Sequence, residues 1–309
     1  MIYTVTLNPA MDCVMQMDEF VTGRTNRASG AFCHPGGKGV NVSLVLHTLG
    51  IRNTATGFLA GFTGEEIRKQ LRMKLKIKSS CDFVMLKKGC TRINVKVCGK
   101  EETEINGIGA IPEKEDIEQL FEKLSKAGSG DVVVLAGNIP KGIDAGIYAE
   151  IMKRAEGKGV SFVVDTEGGA LLRTLPYKPF LIKPNQHELE ALFRIKINTI
   201  EEVIECGQKL RDKGARNVLV SMGKDGSVLL AEDGSVHILP AIKGETVSTV
   251  GAGDSMVAGF IAGWKRYMDY SKAHLLGAAA GAACAFSERL PDRREITSAL
   301  DRLESVLGE

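Results

Sequence analysis

The chain has 309 residues, of which 44% are hydrophobic, so it can bury one large α/β core or two smaller ones. Its formal net charge is only +2, and the basic and acidic residues are interspersed, which argues against a nucleic-acid or membrane partner. The N-terminus lacks the pattern of a signal peptide, and the longest apolar stretch, residues 275–286, is too short to span a bilayer. We therefore expect a cytoplasmic enzyme.

Strands and helices alternate over most of the chain, beginning with an apolar strand at residues 2–7. Further strands of a main sheet are predicted at 54–59, 131–135, 160–164, 180–182 and 217–221, followed by a hairpin of 227–230 and 236–239. Amphipathic helices are predicted at 39–49, 63–75, 113–127 and 145–157, with further helices after residue 183 and three at the C-terminal end. Thr63 and Glu66 have the spacing of a capping box at the start of the second helix. The alternation indicates a doubly wound, mostly parallel α/β fold.

Two stretches interrupt this alternation and look like antiparallel strand pairs. The first joins residues 13–17 with 27–34, and the second joins 91–97 with 101–106. Four such strands are enough for a second, smaller sheet that projects from the core.

This small sheet is expected to form a lid on a single domain that spans residues 1–309. The lid is discontinuous and covers about residues 12–34 and 90–107. No following helix covers its apolar side chains, which are Val14, Ala31, Ile93, Val95 and Val97. Because an uncovered apolar face of this size is rare on a monomer, we expect a homodimer that forms through the lid.

Cysteines and histidines show neither a disulfide framework nor a zinc site. The seven cysteines are odd in number, scattered and without a C-x-x-C pair, so we expect them to be reduced. The five histidines lack the spacing of zinc ligands. If a divalent metal takes part, we expect Mg²⁺ that is held by oxygen ligands and enters with a nucleotide.

A glycine-rich run at residues 250–260 opens the first of the three C-terminal helices. Gly251, Ala252 and Gly253 are small enough to let a phosphate approach the backbone N–H groups of a helix N-terminus. Asp254 can take the proton of an attacking hydroxyl at the same place. An ordinary helix start, capped by Asp254 or Ser255, fits the same residues, and the short motif does not decide between the two.

The common nucleotide-binding motifs are absent from the sequence. There is no G-x-x-x-x-G-K-[ST] loop, and no G-x-G-x-x-G follows the first strand. Seven other motifs occur in this order: TLNPAMD (6–12), GGKGVN (36–41), TRIN (91–94), AGNIPKG (136–142), KPNQHEL (183–189), SMGKDG (221–226) and VGAGDSMVAGF (250–260). In these motifs nearly the whole chain resembles the PfkB, or ribokinase-like, sugar kinases, and within them the 1-phosphofructokinases, followed by the tagatose-6-phosphate kinases. The resemblance favours the catalytic interpretation of the glycine-rich run.

The resemblance implies a sugar site between the first strand and the lid. The substrate contacts that it implies are Asp12, Gly36, Gly37, Lys38, Asn41, Arg92, Asn94, Asn138 and Arg27. A carboxylate at position 12 can accept two sugar hydroxyls, although a turn Asp fits there as well. Gly36 and Gly37 permit close approach of a ligand, and they also fit a turn that enters a helix.

Positive charge in this region indicates a substrate that already carries a phosphate. Arg92 lies in the middle of a predicted strand, where a guanidinium needs solvent or an anion, and it matches phosphate oxygens in a bidentate manner. Lys38 and Arg27 can add charge, Arg27 from the lid or from a partner subunit, or both can be ordinary surface cations.

On the nucleotide side the resemblance implies ATP contacts at Lys183, Asn185, Ser221, Gly223 and Gly226. Asn185 and Glu188 stand three residues apart on one helical face, so both can reach the ligand shell of Mg²⁺, directly or through water. Asn185 also fits a plain helix cap.

The resemblance therefore implies ATP-dependent phosphorylation of the 6-hydroxyl of fructose 1-phosphate to give fructose 1,6-bisphosphate. Asn138 stands where many relatives have a serine, and the loop at 107–110 lacks their proline, which affects selectivity more than activity. Tagatose-6-phosphate kinase is the nearest alternative function. A catalytically silent sugar-phosphate sensor is an alternative of another class, and the intact set of Asp254, Asn185 and Glu188 argues against it.

Overall fold

The computed structural model of the protein describes residues 1–75 and 79–308. The strands are β1 Ile2–Thr6, β2 Ala10–Gln16, β3 Gly30–Gly36, β4 Thr54–Ala60, β5 Ser80–Cys81, β6 Val84–Leu86, β7 Arg92–Cys98, β8 Thr103–Asn106, β9 Val132–Ala136, β10 Ser161–Asp165, β11 Leu181–Ile182, β12 Asn217–Ser221, β13 Ser227–Leu230 and β14 Val236–Leu239. The helices are α1 Lys38–Thr48, α2 Gly61–Lys74, α3 Lys114–Leu124, α4 Ile147–Arg154, α5 Gly168–Thr174, α6 Gln186–Phe193, α7 Ile200–Asp212, α8 Ala252–Tyr267, α9 Tyr270–Ala285 and α10 Arg293–Gly308.

The main sheet has the order β14-β13-β12-β11-β10-β9-β1-β4-β5, and β6 continues the pairing with β4. All pairs from β12 to β5 are parallel, whereas β13 and β14 are added antiparallel as the predicted hairpin. The inner strands consist of β-branched and aliphatic residues that are buried on both faces, as parallel sheets require. This confirms the predicted doubly wound α/β fold.

Helices cover both faces of the main sheet. On one face, α3 to α7 pack through Leu120, Phe121, Ile151 and Leu189. On the other face, α1, α8, α9 and α10 enclose a second cluster of buried apolar residues that includes Phe260. No helix in the described part of the chain combines the length and apolarity needed to cross a bilayer.

The second sheet is the predicted lid, with the order β3-β2-β7-β8. Its outer pairs are antiparallel, as predicted, and its central pair, β2 with β7, is parallel. Because side chains alternate along a strand, Asp12 and Val14 lie on one face, and Ala31, Ile93 and Val95 lie on the other. The prediction that Val14 shares the uncovered apolar face with these residues is therefore wrong.

Two local predictions are corrected by the structure. The predicted capping box of Thr63 and Glu66 is wrong, because α2 begins two residues earlier, at Gly61, and the Thr63 hydroxyl donates to the Thr91 carbonyl at 2.7 Å. The prediction that all cysteines are reduced is wrong for Cys13 and Cys33. These two residues are direct partners in the β2–β3 register, their Cα atoms are 4.1 Å apart, and they form a disulfide. The other five cysteines are free.

Candidate active site

A cleft of about 1360 Å³ opens between the carboxyl ends of the main-sheet strands and the lid. Ligands usually bind at this edge of an open α/β sheet. The cleft is lined at one end by the start of α8, along its floor by residues at or just after the ends of β1, β9, β10 and β11, and at the other end by the lid. It therefore collects most of the residues that the sequence motifs singled out.

The start of α8 is an uncapped helix N-terminus inside this cleft. Its N-cap is Gly251, whose φ of 80° lies in the left-handed region that favours glycine, and no side chain caps the helix. Neither Asp254 nor Ser255 acts as the cap, so the ordinary helix-start interpretation is not supported. Gly251, Ala252 and Gly253 all line the cleft, so an anion can approach the N-terminus of α8 there.

Asp254 is buried in the first turn of α8, with 6% of its surface exposed. Its carboxylate accepts a hydrogen bond from Asn41 Nδ2 at 2.8 Å, across 213 residues of sequence. Burial, together with the nearby charge of Asp165, raises the pKa of Asp254 to about 6, although Asn41, Lys38 and Lys183 oppose the shift. A carboxylate with a pKa near neutrality is suited to accept a proton during catalysis.

Asp165 is a site residue that the sequence analysis missed. It ends β10, it is almost fully buried, and its Oδ1 lies 3.1 Å from Lys38 Nζ and 3.5 Å from Lys183 Nζ. Burial alone would raise the pKa of Asp165, but the two lysines hold it below its usual value. The signal for it was present in the sequence, because Asp165 closes an apolar parallel strand at the same sheet edge as the cleft.

Lys38 begins α1, and in its ion pair with Asp165 it is the more exposed partner. Burial opposes protonation, yet the charges of Asp165 and Asp254 keep the pKa of Lys38 above its usual value. Lys38 is thus a charged cleft residue rather than an ordinary surface cation.

The lid contributes one polar face to the cleft. Asp12 is buried and accepts a hydrogen bond from Asn94 Nδ2 at 2.8 Å, on the neighbouring strand β7. Lys96, two residues further along β7, lies 3.7 Å from Asp12 Oδ2 and was missed by the sequence analysis. Strand alternation was its signal, because it places Lys96 on the same face as Arg92 and Asn94.

Arg92 lies at the start of β7, on the floor side of the lid. Its Nε donates to the carbonyl of Asn8 at 3.2 Å, and burial lowers the pKa of the guanidinium. Among the described residues no carboxylate forms a salt bridge with Arg92. Its remaining N–H groups are free to receive an anion in the cleft.

Two glycines shape the part of the cleft next to Asp12. A Cβ at Gly36 would lie 2.2 Å from Asp12 Oδ2, so only glycine lets the carboxylate adopt this position. Gly37 is the N-cap of α1 and has a φ of 112°, which makes the helix-entry interpretation correct for this residue. Gly37 also lines the cleft, as do Asn41 and Asn138, whereas Gly36 acts on it through Asp12.

The residues that were predicted on the nucleotide side also line the cleft, and they are Lys183, Asn185, Glu188, Ser221, Gly223 and Gly226. Asn185 caps α6 in a capping box: its Oδ1 accepts from the backbone N–H of Glu188, and its own N–H donates to Glu188 Oε2. The helix-cap interpretation of Asn185 is therefore correct, and it leaves Glu188 Oε1 outside the box. Gly226 has a φ of 96° and approaches the carbonyl of Leu239, so a larger residue does not fit there.

Arg27 is a proposed contact that lies away from the cleft. It is exposed in the loop between β2 and β3 and does not line the cavity. The prediction that Arg27 contacts the sugar from a partner subunit stays a prediction.

Comparison with known proteins identifies the family. Residues 5–290 match the family model described as pfkB family carbohydrate kinase. The chain belongs to this family. Among its relatives are the 1-phosphofructokinase of Bacillus subtilis, 42% identical over 290 residues and 94% of each chain, and the D-tagatose-1-phosphate kinase of Bacillus licheniformis, 36% identical over 308 residues, 99% of this chain and 98% of the relative.

Solved structures of pfkB relatives share the fold. Phosphofructokinase-2 of Escherichia coli in complex with substrates and products is 28% identical, with a TM-score of 0.92 over 98% of this chain and 99% of that one. Its tetrameric inhibited form is 27% identical, with a TM-score of 0.90 and the same coverage. The family and the ribokinase-like fold that were predicted from the sequence motifs are confirmed.

Proposed function

We propose that the protein is a 1-phosphofructokinase, which transfers the γ-phosphoryl group of ATP to the 6-hydroxyl of fructose 1-phosphate. The observation that carries the proposal is the placement of a buried carboxylate, Asp254, at an uncapped helix N-terminus in the same cleft as Asp12 and Arg92. Relatives named 1-phosphofructokinase, which match the chain over nearly its full length, support the choice of sugar.

Asp254 is the general base of the proposed reaction. It accepts the proton of the 6-hydroxyl as that oxygen attacks the γ-phosphorus, the bond to the bridging oxygen breaks, and ADP leaves. The hydrogen bond from Asn41 Nδ2 holds one carboxylate oxygen in place. Because Asp254 has a pKa near 6, it is ionised at neutral pH yet basic enough to take the proton.

The N-terminus of α8 stabilises the negative charge of the transferred group. The positive end of its dipole lies at Gly251, Ala252 and Gly253, where a phosphoryl group next to Asp254 would be held. The Ala252 N–H donates to the Thr249 carbonyl at 3.3 Å, whereas the N–H groups of Gly251 and Gly253 have no hydrogen-bond partner among the described residues. Lys38 and Lys183 add positive charge on the floor of the cleft, and Asp165 fixes the position of both ammonium groups.

The residues present fit Mg²⁺ that enters with ATP. Asp165 Oδ2 is buried in the cleft without a hydrogen-bond partner, and Glu188 Oε1 is outside the capping box. Such oxygen ligands suit a hard cation. In the described part of the chain no group of three or more His, Cys, Asp or Glu residues can hold a metal, so ATP phosphates would complete the shell. When bound, Mg²⁺ would neutralise phosphate charge.

The lid side binds the sugar phosphate in this proposal. Asp12 and Asn94 offer a hydrogen-bonded acceptor and donor pair for sugar hydroxyls, next to Asn41 on the floor. Arg92 receives the phosphate that the sugar already carries, since a guanidinium without a carboxylate partner matches phosphate oxygens.

A second candidate substrate is tagatose 1-phosphate, which is favoured by the 36% identity to the D-tagatose-1-phosphate kinase. Tagatose differs from fructose only in the configuration at C4, so the phosphate and the 6-hydroxyl occupy equivalent places. The decisive test is ADP release, measured by a coupled assay with ATP and fructose 1-phosphate, tagatose 1-phosphate, tagatose 6-phosphate or fructose 6-phosphate. The proposal is supported if kcat/KM is higher with fructose 1-phosphate than with the other three sugar phosphates. Turnover of none of these sugars would favour a catalytically silent sensor.

We also propose a homodimer that forms through the lid. The lid face opposite Asp12 exposes Ile93 and Ile105, with 42% and 56% of their surfaces accessible. The pairing of two such faces around a two-fold axis would bury them. The tetrameric form of Escherichia coli phosphofructokinase-2 supports self-association in this family.

A further inference from the structure

Lys96 is an unusual residue of the lid because its charged side chain is buried. Only 8% of its surface is exposed, and lysines are rarely buried to this degree unless they are paired. It lies in β7, opposite Val14 of β2 and Glu104 of β8, and it lines the cleft. Lys96 has no role in the proposed reaction.

The ammonium of Lys96 lies between two carboxylates on neighbouring strands. Asp12 Oδ2 is 3.7 Å away on one side, and Glu104 Oε1 is 3.7 Å away on the other. Asp12 is thereby fixed through both oxygens, because Asn94 Nδ2 holds Oδ1 at 2.8 Å. Glu104 is more exposed and belongs to the edge strand, so Lys96 connects Asp12 to the outer edge of the lid.

Arg92 and Lys96 share a strand face but differ in charge environment. Among the described residues Arg92 has no carboxylate within salt-bridge distance, so its charge is available to an anionic ligand. The charge of Lys96 is already balanced by two carboxylates. The two cations of β7 are thus divided between ligand binding and the positioning of Asp12.

We propose that Lys96 is a positioning residue, which holds the Asp12 carboxylate toward the sugar hydroxyls and does not contact the phosphate of the substrate. This inference rests on the proposed function, because that function assigns the sugar hydroxyls to Asp12. Sugar affinity then depends on two ion pairs that connect three strands of the lid, from Asp12 through Lys96 to Glu104.

The test is the variant Lys96→Met, studied by steady-state kinetics and by competitive inhibition with inorganic phosphate. The KM for the sugar phosphate should rise on the order of tenfold, while kcat and the KM for ATP stay within about twofold. The inhibition constant of inorganic phosphate should not change, since Lys96 does not touch the phosphate. In Arg92→Ala both the sugar KM and the phosphate inhibition constant should rise.

Two further variants keep the test independent of folding. Lys96→Arg retains a cation between the carboxylates and should restore most of the sugar affinity. In an Asp12→Asn background, Lys96→Met should cause no further rise of the sugar KM, because the two residues act as one unit. The matched control is Lys100→Met, which removes an exposed lysine from the β7–β8 turn of the same lid.

Three results would overturn the inference: a phosphate inhibition constant that rises together with the sugar KM, a sugar KM that is unchanged while the melting temperature falls, or additive effects in the double variant. Failure of the proposed function is recognised separately. It would appear as a wild-type enzyme without turnover of fructose 1-phosphate, whereas the Lys96 comparison uses whichever sugar phosphate the wild type accepts.

Discussion

The two ends of the cleft are built in different ways. The body side consists of Lys38, Asp165, Lys183 and Asp254, which come from four separate parts of the chain and form a largely buried network of opposite charges. The lid side consists of polar residues from adjacent strands, above a sheet face that is apolar and partly exposed. In the proposed function the main core therefore holds the catalytic groups, whereas sugar binding relies on a thin sheet that a second subunit would cover.

The largest expected effect is on the body side, at Asp254. The variant Asp254→Asn keeps the size of the side chain but removes the base, so kcat should fall by about 10² to 10⁴. ATP affinity should change little, because Asn leaves the N-terminus of α8 uncapped and open. Steady-state kinetics and ATP binding by calorimetry measure the two effects. Near wild-type kcat would show that Asp254 is not the base.

On the lid side the largest effect is expected for Arg92. Loss of its charged hydrogen bonds in Arg92→Ala should cost about 1.5–3 kcal/mol, which raises the KM for the sugar phosphate by about 10- to 150-fold. The KM for ATP should change much less. Arg92→Lys should recover only part of the affinity, since an ammonium lacks the bidentate geometry. An unchanged sugar KM in Arg92→Ala would assign Arg92 to lid structure.

The dependence of the lid on a partner is tested at its exposed apolar residues. Ile93→Glu and Ile105→Glu should produce monomers of about 33.3 kDa in light scattering and raise the sugar KM about fivefold or more, with kcat less affected. Val97 is less suitable, because only 3% of it is exposed and a charge there would disturb the lid itself. Ile195→Glu changes an isoleucine with the same 42% exposure as Ile93, outside the lid, and serves as the control. A wild-type monomer with full activity would refute the dimer.

The sequence predicted features that are local along the chain better than features that depend on distant partners. The strands and helices of the body that were predicted with bounds end within three residues of those bounds, because β-branched runs and amphipathic periods are local signals. The short elements β5, β6 and α5 were not predicted. The motif residues around Asp12, Asn41 and Asp254 were placed in one cleft, since strand ends and helix starts meet at one sheet edge. These are features that short windows of sequence carry.

The sequence-based predictions failed where the role of a residue depends on a partner that is distant in sequence or on the exact register of two paired strands. Asp165 was missed because its two lysines come from other elements, and Lys96 because its carboxylates lie on neighbouring strands. The disulfide of Cys13 and Cys33 requires the β2–β3 register, which spacing alone does not give. The Thr63 hydroxyl binds Thr91, 28 residues away, and not its own helix.

The smallest expected effect is a shift of the pH profile, and its sign tests the charge network of the body side. Asp254 acts only when it is ionised, so kcat/KM should fall as the pH drops through about 6. The neighbouring charge of Asp165 raises the pKa of Asp254, so Asp165→Asn should move this acid limb to lower pH. Lys38 has the opposite influence, and Lys38→Met should move the limb to higher pH.

These two shifts can be measured even when the maximal rate is reduced, because only the position of the acid limb is compared. Lys100→Met, which changes an exposed lysine of the lid, should leave the limb where it is. A purely structural role of the network would lower activity in both variants without separating their limbs. Shifts in opposite directions are the result expected when both charges act on one titrating group, the buried carboxylate of Asp254 at the start of α8.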